Sequence, residues 1–245
     1  GFFVFDGTVK ALPCLVEDFV FTTKGDNLGI NYQNGESVYA GLYTLYEEIT
    51  WFYPKNGSNN VDRCVTFNYQ SGTWTTGSLA RTTYTDANLY DNPYATEFNS
   101  TGVPTFPTVQ GVTNINGSTI YYSHEVGVNQ VDSTGAKTAI PAFIQSGDFD
   151  LSQGGDGQFF MSVRRFIPDF KLIQGNAKVT INLKRFPVST ETSSPLGPFT
   201  ITSSTEKIDT RARSRFANLK IENTSTDESW RYGTFRADVQ PDGMR

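Results

Sequence analysis

The sequence predicts an all-β protein. Short aromatic and β-branched runs recur along its whole length, clusters of Gly, Pro, Asn, Ser and Thr separate them, and helical spacing is almost absent. The 245 residues suffice for one large domain or two small ones, and 37% hydrophobic residues, 14% of the chain being aromatic, can bury a core. Only 18% of residues are charged, which argues against disorder.

In chain order, "FFVFDGTVKAL" reads as a hairpin, with Asp6-Gly7 supplying the two positive-φ positions of a type I′ turn. The chain opens without methionine inside what reads as a buried strand and closes on the polar "VQPDGMR"; we expect the C-terminal part of a longer protein. "AGLYTLYEEIT" alone has helix-like spacing, at Leu42, Leu45, Tyr46 and Ile49, but it is short, tyrosine-rich and runs into a strand. "EITWFYP" and "RCVTFNY" read as strands around the turn-forming "KNGSNNVD"; Gly72 lies in a loop from which Trp74 opens the next strand. Further strands are expected in "TIYYSHEVGV", "AIPAFIQSGDFDL", "FFMSVRRF", "KVTINLKRF" and "FTITSSTEK".

The closing segments "RFANLKIEN" and "WRYGTFRADV" are expected to form a hairpin with Asn223 opposite Trp230. That register would set Glu222 against Arg231 and Arg215 against Asp238, with Arg211 near Asp242, each cross-strand pair contributing roughly 0.2–1 kcal/mol. Just upstream, "IDTRARSR" puts Arg211, Arg213 and Arg215 on one face of a strand. The strand spacing fits either a stacked sandwich or propeller blades. The unit "ITWFYP…DRCVTFNYQSGTWTTGSL" resembles the repeat of kelch-like propellers and favours blades over residues 1–189, a linker over 190–198, and closing strands over 199–245.

Composition narrows the chemistry. A net charge of −5 argues against general binding to nucleic acid or anionic membrane. His124 is the single histidine, and Cys14 and Cys64 lie far apart outside any C-x-x-C pair, so metal-ligand spacing is missing. No apolar run approaches the roughly 20 residues of a membrane-spanning helix.

"DFDLSQGGDG" offers Asp148, Asp150 and Asp156 to calcium, yet no acidic residue follows at the twelfth position, and carboxylates capping a turn fit better. Glu47, Glu48, Asp86, Asp91 and Glu125 could supply a glycosidase pair if two stood roughly 5–9.5 Å apart. "SGTWTTG" resembles part of the sialidase aspartate box without its aspartate. His124 has no G-x-S-x-G serine to activate and reads as structural or interfacial. No catalytic residue, metal or cofactor is therefore expected. The aromatic, polar stretch "TTYTDANLYDNPYATEF", with Tyr84, Tyr90 and Tyr94, is the first candidate for contact with a partner or glycan, against a loop folded over its own sheet.

Several motifs together resemble the β-propeller nozzle or hub proteins of short-tailed bacteriophages: "EITWFYPKNG…DRCVTFNYQSGTWTTGSLARTTYTDA", "HEVGVNQ", "IPAFIQSGDFDL", "GDGQFFMSVRRFIPDF" and the closing "SWRYGTFRADVQPDGMR". The resemblance covers most of the chain and corresponds to the C-terminal portion of such proteins. It implies a virion tail protein assembled as a ring around the genome exit channel, touching adaptor or fibre proteins, with no catalytic motif to carry over. Family members are longer, so propeller closure would call on strands from an N-terminal part. Within such a ring Arg211, Arg213 and Arg215 would lie at a subunit contact or line the channel. A passage for DNA must not grip it, which an acidic chain with sparse arginines suits. A glycan-binding module on a virion or cell surface is the alternative.

Overall fold

The computed structural model of the chain describes residues 1–87, 90–99, 118–132, 134–152, 157–186, 194–234 and 236–244. The protein is all-β, built from several antiparallel sheets; among the described residues no sheet closes into a barrel or propeller. It divides into two compact units, Gly1–Val126 and Gly127–Arg245.

In the first unit, β1 (Phe2–Phe5) and β2 (Val9–Leu12) form the expected hairpin. Its loop has three residues, not two: Phe5 faces Val9, and of the turn residues only Gly7 has positive φ. The Asp6 carboxylate explains the wider loop, accepting hydrogen bonds from Thr8 N and Lys10 Nζ. The opening strand is not buried as expected, because Phe3 and Phe5 are 65% and 76% exposed. Phe2 alone anchors it, against Trp51, Trp74 and Phe21. A short helix follows, α1 (Glu17–Phe21), which contributes the buried Val20.

Next comes a four-stranded meander of β3 (Tyr39–Tyr43), β4 (Glu48–Tyr53), β5 (Arg63–Asn68) and β6 (Thr73–Gly77), each paired with its neighbour in sequence. The helix-like spacing of "AGLYTLYEEIT" resolves into strand, one 3-10 turn over Thr44–Tyr46, and strand again. Both faces of this meander are covered, which explains the unbroken apolar run "WFY". Tyr53 and Val65 pack with Trp51, Trp74 and the α1 side chains, while Phe52 and Cys64 pack on the opposite face with Tyr39, Leu79 and Tyr84. Gly41 is required there, since Tyr84 Cδ1 lies 2.5 Å from where a Cβ would stand. A three-stranded meander of β7 (Thr83–Thr85), β8 (Tyr94–Asn99) and β9 (Ser118–Ser123) completes the unit.

The second unit begins with the hairpin of β10 (Asn129–Val131) and β11 (Lys137–Ala139). Its larger strands are β12 (Ala142–Gln145), β13 (Met161–Ile167), β14 (Phe170–Gln174), β15 (Ala177–Lys184), β16 (Ser194–Ile201), β17 (Ile208–Ser214), β18 (Phe216–Asn223), β19 (Ser229–Tyr232) and β20 (Arg236–Pro241). They form the sheets β12-β18-β15-β16 and β17-β13-β20, plus the pair β14-β19. Val179, Ile181, Leu219 and Ile221 of the first sheet share one core with Met161, Val163, Phe166 and Ala212 of the second, so this unit is a β-sandwich.

The structure differs from the sequence expectation at two points. The boundary does not fall at 190–198: residues 190–193 lie outside the described residues, Ser194 onward belongs to β16, and strands on both sides of that point share one core. Nor do the closing strands form a hairpin. β18 pairs with β12 and β15, β19 with β14, and β20 with β13. Both edges of β18 are taken, by β12 and β15, so none is left for β19 or β20; the chain enters this sheet at a bend at Arg215, the one residue between β17 and β18.

Candidate functional site: an arginine face and a tyrosine group

The arginine stripe is carried by β17, which alternates cleanly: Ile208, Thr210, Ala212 and Ser214 are buried, while Asp209, Arg211 and Arg213 are exposed. The neighbouring central strand β13 turns Ser162 and Arg164 outward by alternation, then slips register between Val163 and Arg165, so that Arg165 also stays off the core and Phe166 re-enters it. Ser162, Arg164, Thr210, Arg211, Ala212 and Arg213 thus line a shallow open groove on the outer face of the sheet.

The three expected arginines are held differently. Arg213 binds the Asp242 carboxylate and carbonyl, and its guanidinium lies 4.1 Å over the Phe160 ring. Arg215 donates to the Gly157 carbonyl at 2.8 Å and so braces the inter-sheet bend. It does not face Asp238, and Asp242 serves Arg213 rather than Arg211, because the expected hairpin register does not exist. Arg165 and Lys207 both pair with Asp209, at 3.0 Å each. Arg211 and Arg164 make no ion pair or hydrogen bond among the described residues. Sequence reasoning missed Arg164 and Arg165; the adjacent "RR" inside an alternating strand was the signal, since two successive charges cannot share a face unless the strand bulges.

The electrostatic setting is uneven. Residues 1–126 hold five Lys/Arg and twelve Asp/Glu, a net −7, whereas residues 127–245 hold fifteen and thirteen, a net +2.

Of the candidate tyrosines, Tyr90 and Tyr94 come together and Tyr84 does not join them. Thr96 faces Tyr121 across β8 and β9, so Tyr94 and Tyr121 are diagonal neighbours, stacked with centroids 5.2 Å apart. Tyr90 meets Tyr94 edge-on at 5.1 Å, and Tyr90 and Tyr121 are more than half exposed. Tyr84 instead packs against Phe52 and His124, where burial pushes its phenol up. Tyr121 was missed, although alternation in "IYYS" already turns one tyrosine out and the other in.

Tyr122, the inward one, covers a buried cation. The Arg81 guanidinium lies 3.8 Å over its ring, and Arg81 is only 8% exposed. Arg81 donates to His124 Nε2 at 3.0 Å, to Glu97 Oε2 at 3.1 Å and to the Ala80 carbonyl at 2.7 Å. An imidazole that accepts at Nε2 is neutral, with its proton on Nδ1. It cannot take a proton from a nucleophile while it accepts from Arg81, so its role here is structural. Burial, then the Arg81 charge, lowers its pKa from 6.5 to about 4.

The sign of the pH effect follows. Below about pH 6.5 the unfolded chain takes up a proton that the folded chain refuses until about pH 4, so stability is complete above this window and declines as pH falls through it. The urea midpoint is expected to be lower at pH 5 than at pH 7, and His124→Gln, which can still accept from Arg81, to shrink that difference. An unchanged difference would assign the acid sensitivity to other groups.

Of the other candidate carboxylates, Asp86, Asp148 and Asp150 are held by local hydrogen bonds. Asp86 accepts from Thr44 N and Oγ1 and holds the 3-10 turn between β3 and β4. Glu47 ends that turn with φ 59°, and burial raises Glu48 and Glu125, the Glu125 charge adding to the rise at Glu48. Asp148 accepts from Asn218 and Lys184, whose hydrogen bonds hold its carboxyl below the usual range. Asp150 accepts from Ser152 N and Oγ and from Gly157 N, capping a turn. Asp156 lies outside the described residues. Among the described residues no three His, Cys, Asp or Glu side chains gather into a metal site. Cys14 and Cys64 are unbridged, and burial pushes the Cys64 thiol up to about 11.

Fold and surface together define an all-β protein of two units, one built of sequential meanders and one a sandwich with a guanidinium-lined outer face. No family model matches the chain, and no curated protein matches it at a significant level. Among the described residues no helix is long and apolar enough to cross a membrane.

Proposed function

We propose that the chain is a structural component of a short-tailed bacteriophage virion, the C-terminal portion of a tail nozzle or hub protein that forms a ring around the genome exit channel and contacts adaptor or fibre proteins. The observation that carries this reading is the order of strands in the first unit. β3-β4-β5-β6 and then β7-β8-β9 are successive up-and-down meanders, each strand beside its neighbour in sequence, which is the arrangement of propeller blades. The first has the four strands of a complete blade. Closure of a propeller would call on further blades, in keeping with a chain that resembles only part of the longer family members. A net charge of −5 suits a channel wall that lets DNA pass without holding it. Electron microscopy of the native source decides the matter. The reading requires density for this chain in a symmetric ring at the tip of a short tail; a free, asymmetric particle overturns it.

One observation favours the second reading, a glycan-binding module. Tyr90, Tyr94 and Tyr121 form an exposed aromatic group of the kind on which sugar rings stack. Under that reading a glycan array gives saturable binding, and Tyr121→Ala weakens it by on the order of tenfold, the loss of one well-placed aromatic contact. Equal retention of both proteins on the array rejects the assignment to these rings.

A further inference from the structure

We infer that the arginine face of the second unit is a self-association surface, and that its partner is the acidic end of the first unit in another copy of the chain. The inference rests on the ring assembly proposed above and names its joint.

Three observations lead to it. The first is unmatched positive charge. Arg164 and Arg211 stand exposed, side by side at a bulge, and neither meets a carboxylate among the described residues. Arginine is the cation favoured in protein interfaces, because its planar fork binds carboxylates bidentately and loses hydration readily.

The second is the matching negative end. The 3-10 turn between β3 and β4, the described residues 86, 87 and 90–93 between β7 and β8, and the residue after His124 lie at one end of the two meanders. Thr44 and Asp86 bind each other there, and Tyr94, which opens β8, faces Ser123, which closes β9. This end carries Glu47, Glu48, Asp86, Asp91 and Glu125, and the stretches 44–48, 86–93 and 124–126 contain no Lys or Arg. None of the five carboxylates has an ion-pair partner among the described residues, although Lys10, Lys55 and Arg81 of the same unit are all paired. Glu48 and Glu125 are held above the usual carboxylate range by burial, the second charge adding to the effect on the first, so a cation brought to this end is favoured.

The third is the pairing of opposite signs on different units, net −7 and net +2. A face on one unit that fits a different face on the other is a heterologous, head-to-tail joint, and repeating such a joint generates a ring when the rotation closes. Complementary potentials also steer the encounter and fix its register.

Sedimentation velocity on the full chain tests this, at about 0.05 M and about 0.5 M NaCl, Debye lengths that leave exposed charges coupled and screened respectively. The wild-type chain is expected to associate at low salt and to dissociate at high salt. Arg164→Glu/Arg211→Glu and Glu47→Arg/Asp91→Arg change exposed or half-exposed side chains without partners, so both variants should fold, as circular dichroism checks. Each alone is expected to associate at least about tenfold more weakly. Mixing the two restores association, because one brings an intact acidic end and the other an intact arginine face. A wild-type chain that stays monomeric at both salts overturns the inference, as does association that either variant leaves unchanged. If Arg164→Glu/Arg211→Glu loses only retention on a short DNA duplex, the face belongs to phosphate and the inference falls. These outcomes are read on purified chain and are independent of whether its density sits in a tail, so the joint and the virion reading fail separately.

Discussion

Truncation of Phe166 to alanine is expected to destabilise the second unit by roughly 3–5 kcal/mol. Phe166 is fully buried on β13, the central strand of its sheet, and its ring faces the opposite sheet through a core that includes Val179, Ile181 and Ile221. Removing the ring forfeits its transfer free energy and leaves a cavity that strands pinned on both sides cannot collapse to fill. β13 is hydrogen-bonded to β17 on one edge and β20 on the other, so its backbone has little freedom to move inward. Trp230 packs on this core and reports its loss. Urea unfolding followed by fluorescence, with the other tryptophans replaced, is expected to show a lower midpoint at unchanged slope. A loss below about 1 kcal/mol would be incompatible with a close-packed interior at this position. Because the Phe166 ring points into the core while Arg164 of the same strand points out, the variant should keep the salt-dependent association in whatever fraction remains folded.

Arg81→Ala is expected to cost about 3 kcal/mol, the scale for removing one partner of a buried ionic cluster. Three groups lose a donor at once: Glu97, the Ala80 carbonyl and His124 Nε2. Tyr122 also loses the guanidinium that covers its ring. Arg81→Lys keeps the charge but lacks the planar fork that reaches His124 and Glu97 together, so it should recover part of the loss only. A second readout separates this cluster from simple packing. With the neighbouring charge gone, the His124 pKa is expected to rise from about 4 toward 6.5, as imidazole resonances titrated by NMR would follow. An unshifted His124 would mean that burial alone sets its value. Loss of stability without that shift would reduce Arg81 to a packing residue.

Alternation was enough to find most strands. β4, β5, β6, β13, β15 and β17 lie where aromatic and β-branched runs put them, and the outward placement of Arg211 and Arg213 followed from period two alone. Partners were another matter. "RFANLKIEN" and "WRYGTFRADV" are adjacent in sequence and complementary in charge, so a hairpin was the local answer. The observed pairing instead buries Leu219 and Ile221 against the opposite sheet, a gain that exposed cross-strand ion pairs of a few tenths of a kcal/mol cannot match. The buried cluster was equally hidden. Arg81, Glu97, Tyr122 and His124 are spread over more than forty residues, and no local pattern marks an arginine that will be 8% exposed.

What the sequence determined by itself is therefore local: the all-β class, the position of most strands, and which of their side chains alternate outward. These depend on backbone sterics and on the two-residue period, which act between neighbours along the chain. Tertiary structure alone decided which strands pair, that the chain divides near Val126 and not near residue 190, that Arg215 marks a change of sheet, and which arginines are left without a carboxylate. Those outcomes depend on how much apolar surface each arrangement buries between segments far apart in the chain, and on which charges that arrangement happens to bring together.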